Sequence, residues 1–286
     1  VYVNGEFVGE HHYGYTSYAF DITDLLVCDG ATQNVVAVKA VNNIPSSRWY
    51  SGSGIYRDVK LYALEPLHVD LHGVTVTTPF IAEGDGTAVI SVDLVNDGNA
   101  VANATVRTTV YFGGDVVATA EQAITIPGGS KGNVELEAVV AEPALWSLED
   151  PNQYMVLTEV LVNGNLVDEC AVDFGFRWTE WKSTGFYLNG EAVKLNGVCM
   201  HHDQGGLGSA AYYDAMYRQL SIMKDMGCNA IRTSHNPADE QFIEICSELG
   251  LLVIEEHFDG ITAAKNGNYN DFAKYFTQKA HSGLYG

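Results

Sequence analysis

Apolar and polar residues alternate with period two along much of the first 174 positions, and take up a helical period only after residue 210. Val1-Tyr2-Val3 and Glu6-Phe7-Val8 flank Asn4-Gly5, a dipeptide that favours a two-residue hairpin turn. Residues 18–22 and 35–41 alternate as half-buried strands do. Further strands are expected at 68–77, 88–95, 105–112, 116–126, 133–140, 155–162 and 166–174. Turn residues separate them: Asn96-Asp97-Gly98, Gly113-Gly114, Pro127-Gly128-Gly129 and Asn163-Gly164-Asn165. Seven short strands in about 100 residues predict an immunoglobulin-like β-sandwich over residues 66–174.

From residue 175 the pattern changes. A helix over 211–226 would place Tyr212, Met216, Leu220, Met223 and Met226 on one face, with Gly227 as its stop. A second, over 238–249, would do the same with Phe242, Ile245, Cys246 and Leu249, stopped by Gly250. Short apolar strands precede, separate and follow these helices. Such alternation builds a parallel sheet, whose chemistry gathers at the carboxyl ends of its strands. Two strand–helix units and a third strand do not close a barrel, so residues 175–286 read as the first part of one.

Three strand ends carry the candidate chemistry: His201-His202-Asp203, Arg232-Thr233-Ser234-His235-Asn236, and Glu255-Glu256. Neighbouring strand residues face opposite ways, so only one histidine of the first pair can face a given cavity. A metal site, a hydrogen-bonding role in a polar pocket and a structural loop all remain open for that triplet. Ser234-His235-Asn236-Pro237 also suits a plain turn into the next helix. Of the glutamates, Glu256 is the better candidate to line a site. The sequence has neither a G-x-S-x-G elbow nor a phosphate-binding GxxxxGK[ST] loop. Between residues 41 and 59 lies a long loop rich in Ser, Gly and aromatics, where Arg48, Trp49 and Tyr50 point to contact with a ligand or neighbour.

Composition narrows the partners. With 36 acidic and 15 basic residues the formal net charge is −21, which argues against nucleic acid. Five scattered cysteines without a CxxC suggest reduced thiols, which leans towards the cytoplasm without fixing the compartment. No apolar run reaches the 18 residues of a membrane span. The chain opens mid-pattern and stops soon after the third barrel strand, so both ends are expected to be cut.

Several stretches resemble glycoside hydrolases of family 2, most closely the β-galactosidase branch, and in the family's order. VYVNGEFVGEHHYGYTSYAFDIT and SRWYSGSGIYRDVKL are similar to the sugar-binding jelly-roll domain, here a partial one over residues 1–65. ALWSLEDPNQYMVLTEV resembles the end of the immunoglobulin-like domain. FGFR, GFYLNGEAVKLNGVCMHHDQGGLG, CNAIRTSHNPADEQF and LLVIEEHFD resemble the start of the family's (β/α)8 barrel. The resemblance implies hydrolysis of terminal β-linked sugars with retention, by two glutamates about 5–5.5 Å apart. It implies that His201 and His235 bind the sugar, with Asp203, Arg232, Asn236 and Glu256 beside them; Trp49, from the aromatic loop, is counted with these expected substrate contacts. The family's acid/base glutamate follows an asparagine, and no Asn-Glu pair occurs in these 286 residues. No catalytic residue is therefore expected within the span, and no activity from it alone. No metal ligand and no cofactor is carried over, because HFDGITAAKNGNYND after Glu256 has no clear match to the family's magnesium site. The expected partner is a carbohydrate, with homo-oligomers of the parent left open. A β-glucuronidase or β-mannosidase of the same family, or a non-catalytic carbohydrate-binding module, are the alternatives.

Overall fold

The structure, a computed structural model, describes residues 1–42, 53–82 and 84–256. At its amino terminus, β1 (Tyr2–Val3) and β2 (Glu6–Phe7) form the expected hairpin, with Tyr2 opposite Phe7. Asn4 and Gly5 take φ of 51° and 90°, the left-handed pair that this tight turn requires. β3 (Val36–Ala37) pairs on the other side of β1. Residues 18–22 form no strand, and only two residues of the expected 35–41 strand are paired. Alternation marks a strand face, but a strand forms only where a neighbour meets its backbone groups.

The next seven strands follow the sequence closely. They are β4 (Leu67–Ala82), β5 (Asp85–Asn96), β6 (Ala102–Phe112), β7 (Asp115–Ile126), β8 (Ser130–Ala141), β9 (Tyr154–Val162) and β10 (Asn165–Phe174). Two antiparallel sheets, ordered β4-β5-β8 and β10-β9-β6-β7, face each other. Ile90, Val92 and Leu94 from one sheet meet Val106, Val110, Val156 and Val160 from the other in a single core. All seven are fully enclosed. Burying such side chains stabilises by roughly 1.5–3 kcal/mol each.

A short meander follows: β11 (Thr179–Lys182), β12 (Gly185–Leu188) and β13 (Glu191–Val193). Then β14 (Gly197–Met200), β15 (Ala230–Thr233) and β16 (Leu252–Ile254) form a parallel sheet in sequential order. Its crossovers carry α1 (Tyr213–Asp225) and α2 (Glu240–Glu248). Met216 and Leu220 of α1 and Phe242, Ile245 and Cys246 of α2 pack with Ile231, Met200 and Val253. Tyr212 and Met226, expected on the buried face, lie at the helix ends and are exposed. Asp239 caps α2, its carboxylate accepting from the Gln241 amide at 3.0 Å.

Trp146 joins the sandwich to this sheet. Its indole donates to the Ser247 carbonyl at the end of α2 (2.8 Å), and the Arg177 guanidinium lies 4.5 Å above its ring. Lys224 donates to the carbonyls of Leu148 (2.6 Å) and Gly250 (3.0 Å) at the same seam. A β-sandwich thus leads into the first two strand–helix units and third strand of a parallel barrel.

Candidate functional site

Strand pleating decides which side chains reach the site. Val198, Met200, Ile231 and Val253 pack towards the helices, so their neighbours Cys199, Arg232 and Ile254 face the other way. Cys199 is directly opposite Arg232, and Arg232 opposite Ile254. Glu256 is two residues beyond Ile254, on the Arg232 side. The three strand ends therefore deliver their polar groups to one place.

Glu256 is its centre. One carboxylate oxygen pairs with Arg232 Nη2, and the other accepts from His235 Nδ1 at 2.6 Å. Its amide donates to Thr233 Oγ1 at 2.9 Å, which ties β16 to the end of β15. Arg232 also donates through Nη1 to Cys199 Sγ at 3.2 Å. Hydrogen bonds to Ser234 and then Arg232 hold the Cys199 thiol below its usual range. The bond to Cys199, then the Glu256 carboxylate, pushes Arg232 above its own. His201 donates from Nδ1 to the Ser234 carbonyl at 2.7 Å, and its ring stands edge-on to that of His235, 6.1 Å away. A neutral ring so held keeps Nε2 as its unprotonated nitrogen. The Ser234–His235 peptide is cis.

A second wall comes from the amino-terminal unit. Tyr13 donates its hydroxyl to Asn236 Oδ1. Arg57 donates to the carbonyls of Tyr15 (3.0 Å) and Pro237 (2.7 Å), and its Nε lies 3.7 Å from Asp239 Oδ2. His202, pointing away from His201's contacts, packs edge-on to Tyr15 at 4.9 Å and near Tyr56 at 6.2 Å. Burial first, and then Arg57, push its pKa below the usual histidine value. A small cavity of about 50 Å³ lies next to the cluster, lined by His201, His202, Asn236 and Arg57 and, from the helix-side core, by Met216 and Phe242; Arg232, His235 and Glu256 do not line it.

Of the residues singled out from the sequence, Arg232, His235 and Glu256 form one bonded cluster, with His201 beside it and Asn236 on the adjoining turn. Asp203 stands apart: its carbonyl accepts from Gln219 at 3.0 Å, and its carboxylate bonds to no member of the cluster. Trp49 lies outside the described residues. Sequence reasoning did not single out Cys199, Tyr13, Tyr15 or Arg57 for the site. Cys199 was within reach, lying on β14 two positions before His201. The others act over 180 positions or more, and no local pattern signals that. Among the described residues no group of three or more His, Cys, Asp or Glu could hold a metal ion.

A β-sandwich feeding a parallel barrel, with polar side chains gathered at the strand ends, defines a multidomain barrel protein. Residues 68–177 match the family model described as glycosyl hydrolases family 2, and residues 180–282 match the model of that family's TIM barrel domain. The chain belongs to glycoside hydrolase family 2. It is 37% identical over 281 residues to the β-galactosidase BoGH2A of Bacteroides ovatus, across 97% of this chain and 32% of that protein. The crystal structure of a family 2 member from Bacteroides cellulosilyticus superposes with a TM-score of 0.89 at 33% identity, over 98% of this chain and 38% of the other. The Bacteroides uniformis β-glucuronidase superposes with a TM-score of 0.83 at 34% identity, over 94% of this chain and 34% of the other. The chain thus spans about a third of the length of these relatives.

Proposed function

We propose that this chain supplies the sugar-binding wall of a retaining exo-β-glycosidase whose substrates are terminal β-galactosides. One observation carries the reading: three successive strand ends bring Arg232, His235 and Glu256 into a single bonded cluster beside His201. Histidine rings and a carboxamide held in place by neighbours suit the hydroxyl groups of a neutral sugar, which both give and accept hydrogen bonds. Glu256 is the anchor of this wall rather than its reactive group. Arg232 and His235 occupy both of its oxygens, whereas retaining chemistry needs one carboxylate to attack and one carboxylic acid to protonate the leaving group. The acid/base and nucleophile glutamates belong, on this reading, to residues other than these 286, and the isolated chain turns over no glycoside. Asp203 and Trp49 remain part of the proposed sugar contacts, Asp203 apart from the bonded cluster.

The relatives divide between names that specify galactosides and names that specify glucuronides. A glucuronidase must offset a substrate carboxylate, which calls for a cation not already matched. Among the described residues, two guanidiniums at the cavity and cluster face acids of their own, Arg57 against Asp239 and Arg232 against Glu256. That favours the neutral sugar. Hydrolysis of nitrophenyl β-galactoside, β-glucuronide and β-mannoside by the full-length protein tests this choice. The galactoside is expected to give the highest kcat/KM, and a preference for the glucuronide would overturn the assignment.

A further inference from the structure

We propose that Tyr13, from the amino-terminal β unit, is a positioning residue that sets which face of Asn236 meets the substrate. The inference rests on the sugar-binding reading above. Tyr13 and Asn236 are 223 positions apart, and both are almost fully buried. The phenol donates to Asn236 Oδ1, which fixes the orientation of the amide and turns its N–H2 group away from Tyr13. Asn236 follows His235 directly on the turn after β15, beside the Arg232–His235–Glu256 cluster that the functional reading assigns to the sugar.

A second bridge keeps this contact in register. Arg57 spans the carbonyls of Tyr15 and Pro237, two residues past Tyr13 and one past Asn236. The amino-terminal unit is thereby fastened to the turn after β15 at two adjacent points. Without the phenol hydroxyl, the carboxamide could rotate and present its oxygen, an acceptor, where a donor is needed. The chemical class selected is a sugar hydroxyl or ring oxygen acting as acceptor towards Asn236 Nδ2.

The test uses the full-length protein and Tyr13→Phe, which keeps the buried ring and removes only the hydroxyl. KM for the preferred nitrophenyl β-glycoside should rise by about 5- to 10-fold, the usual worth of one well-placed hydrogen bond, while kcat changes by less than about twofold. Asn236→Ala should raise KM by a similar factor, and the double variant by no more than either single change. Hydrogen exchange of peptides covering residues 234–238 should quicken in Tyr13→Phe, with β15 unaffected. Unchanged KM, or effects that multiply in the double variant, would overturn the proposal. Should the full-length protein hydrolyse no glycoside, the functional reading fails by itself. Exchange then decides whether Tyr13 holds Asn236, and unaltered exchange overturns that too.

Discussion

In β5 every second residue turns inward, and Ile90, Val92 and Leu94 are fully enclosed. In residues 35–41 the same alternation leaves Val36 56% exposed and Val41 71% exposed. The amino-terminal unit repeats this further on, where Val59 and Leu61 are each 74% exposed. Period two thus defines a face, but only a second layer buries it. The sandwich has that layer in the facing sheet. Among the described residues of the amino-terminal unit no second sheet covers these side chains. What the unit does contribute is its polar and aromatic edge, Tyr13, Tyr15, Tyr56 and Arg57, which it lays against the barrel mouth.

The largest effect that should separate the two regions is a cavity in the closed one. Ile90→Ala removes a wholly enclosed side chain and should cost about 2–5 kcal/mol, read as a lower denaturant midpoint at unchanged slope. A loss well below this range would mean that the two sheets do not pack as described.

A smaller, pH-dependent effect belongs to the seam between the amino-terminal unit and the barrel. His202 faces Tyr15, Tyr56, Arg57, Asp203 and His201, and burial followed by Arg57 lowers its pKa. The unfolded chain therefore binds its proton more readily than the folded one. The stability this neutral ring contributes is full above the unfolded value of about 6.5 and is lost as pH falls towards the depressed folded value. Unfolding midpoints compared between pH 7.5 and pH 5 should fall less in His202→Gln than in the unaltered chain. An equal fall in both would remove His202 from this role.

The smallest effect is expected where the alternating pattern is exposed. Val36→Thr should change stability by less than about 0.5 kcal/mol, as surface substitutions usually do. A loss near that of Ile90→Ala would show that a layer does cover this face.

How much of this could be read from the chain depends on how local each cause is. The sandwich strands were legible because turn residues bracket each run and both sheets bury alternate positions. The helices were legible because Gly227 and Gly250, with φ of 90° and 66°, stop them where an L side chain would be strained. Tyr212 and Met226 fit the helical period but escape burial, since a helix end extends past the sheet it packs on. At the site, three polar strand ends were enough to locate Arg232, His235 and Glu256. Cys199 could have been added from its two-residue spacing to His201, whereas the Tyr13–Asn236 and Arg57–Pro237 bonds needed the tertiary fold. Periodicity is silent about contacts between residues so far apart in sequence.

If the proposed function holds, the β14, β15 and β16 ends, together with Asn236, form a surface that holds a sugar. A crystal structure of the full-length protein with the monosaccharide product of its best substrate tests this most directly. Sugar oxygens are expected at about 2.7–3.2 Å from Asn236 Nδ2 and from a ring nitrogen of His201 or His235. A sugar seated elsewhere, with the side chains of residues 201–256 untouched, would contradict it.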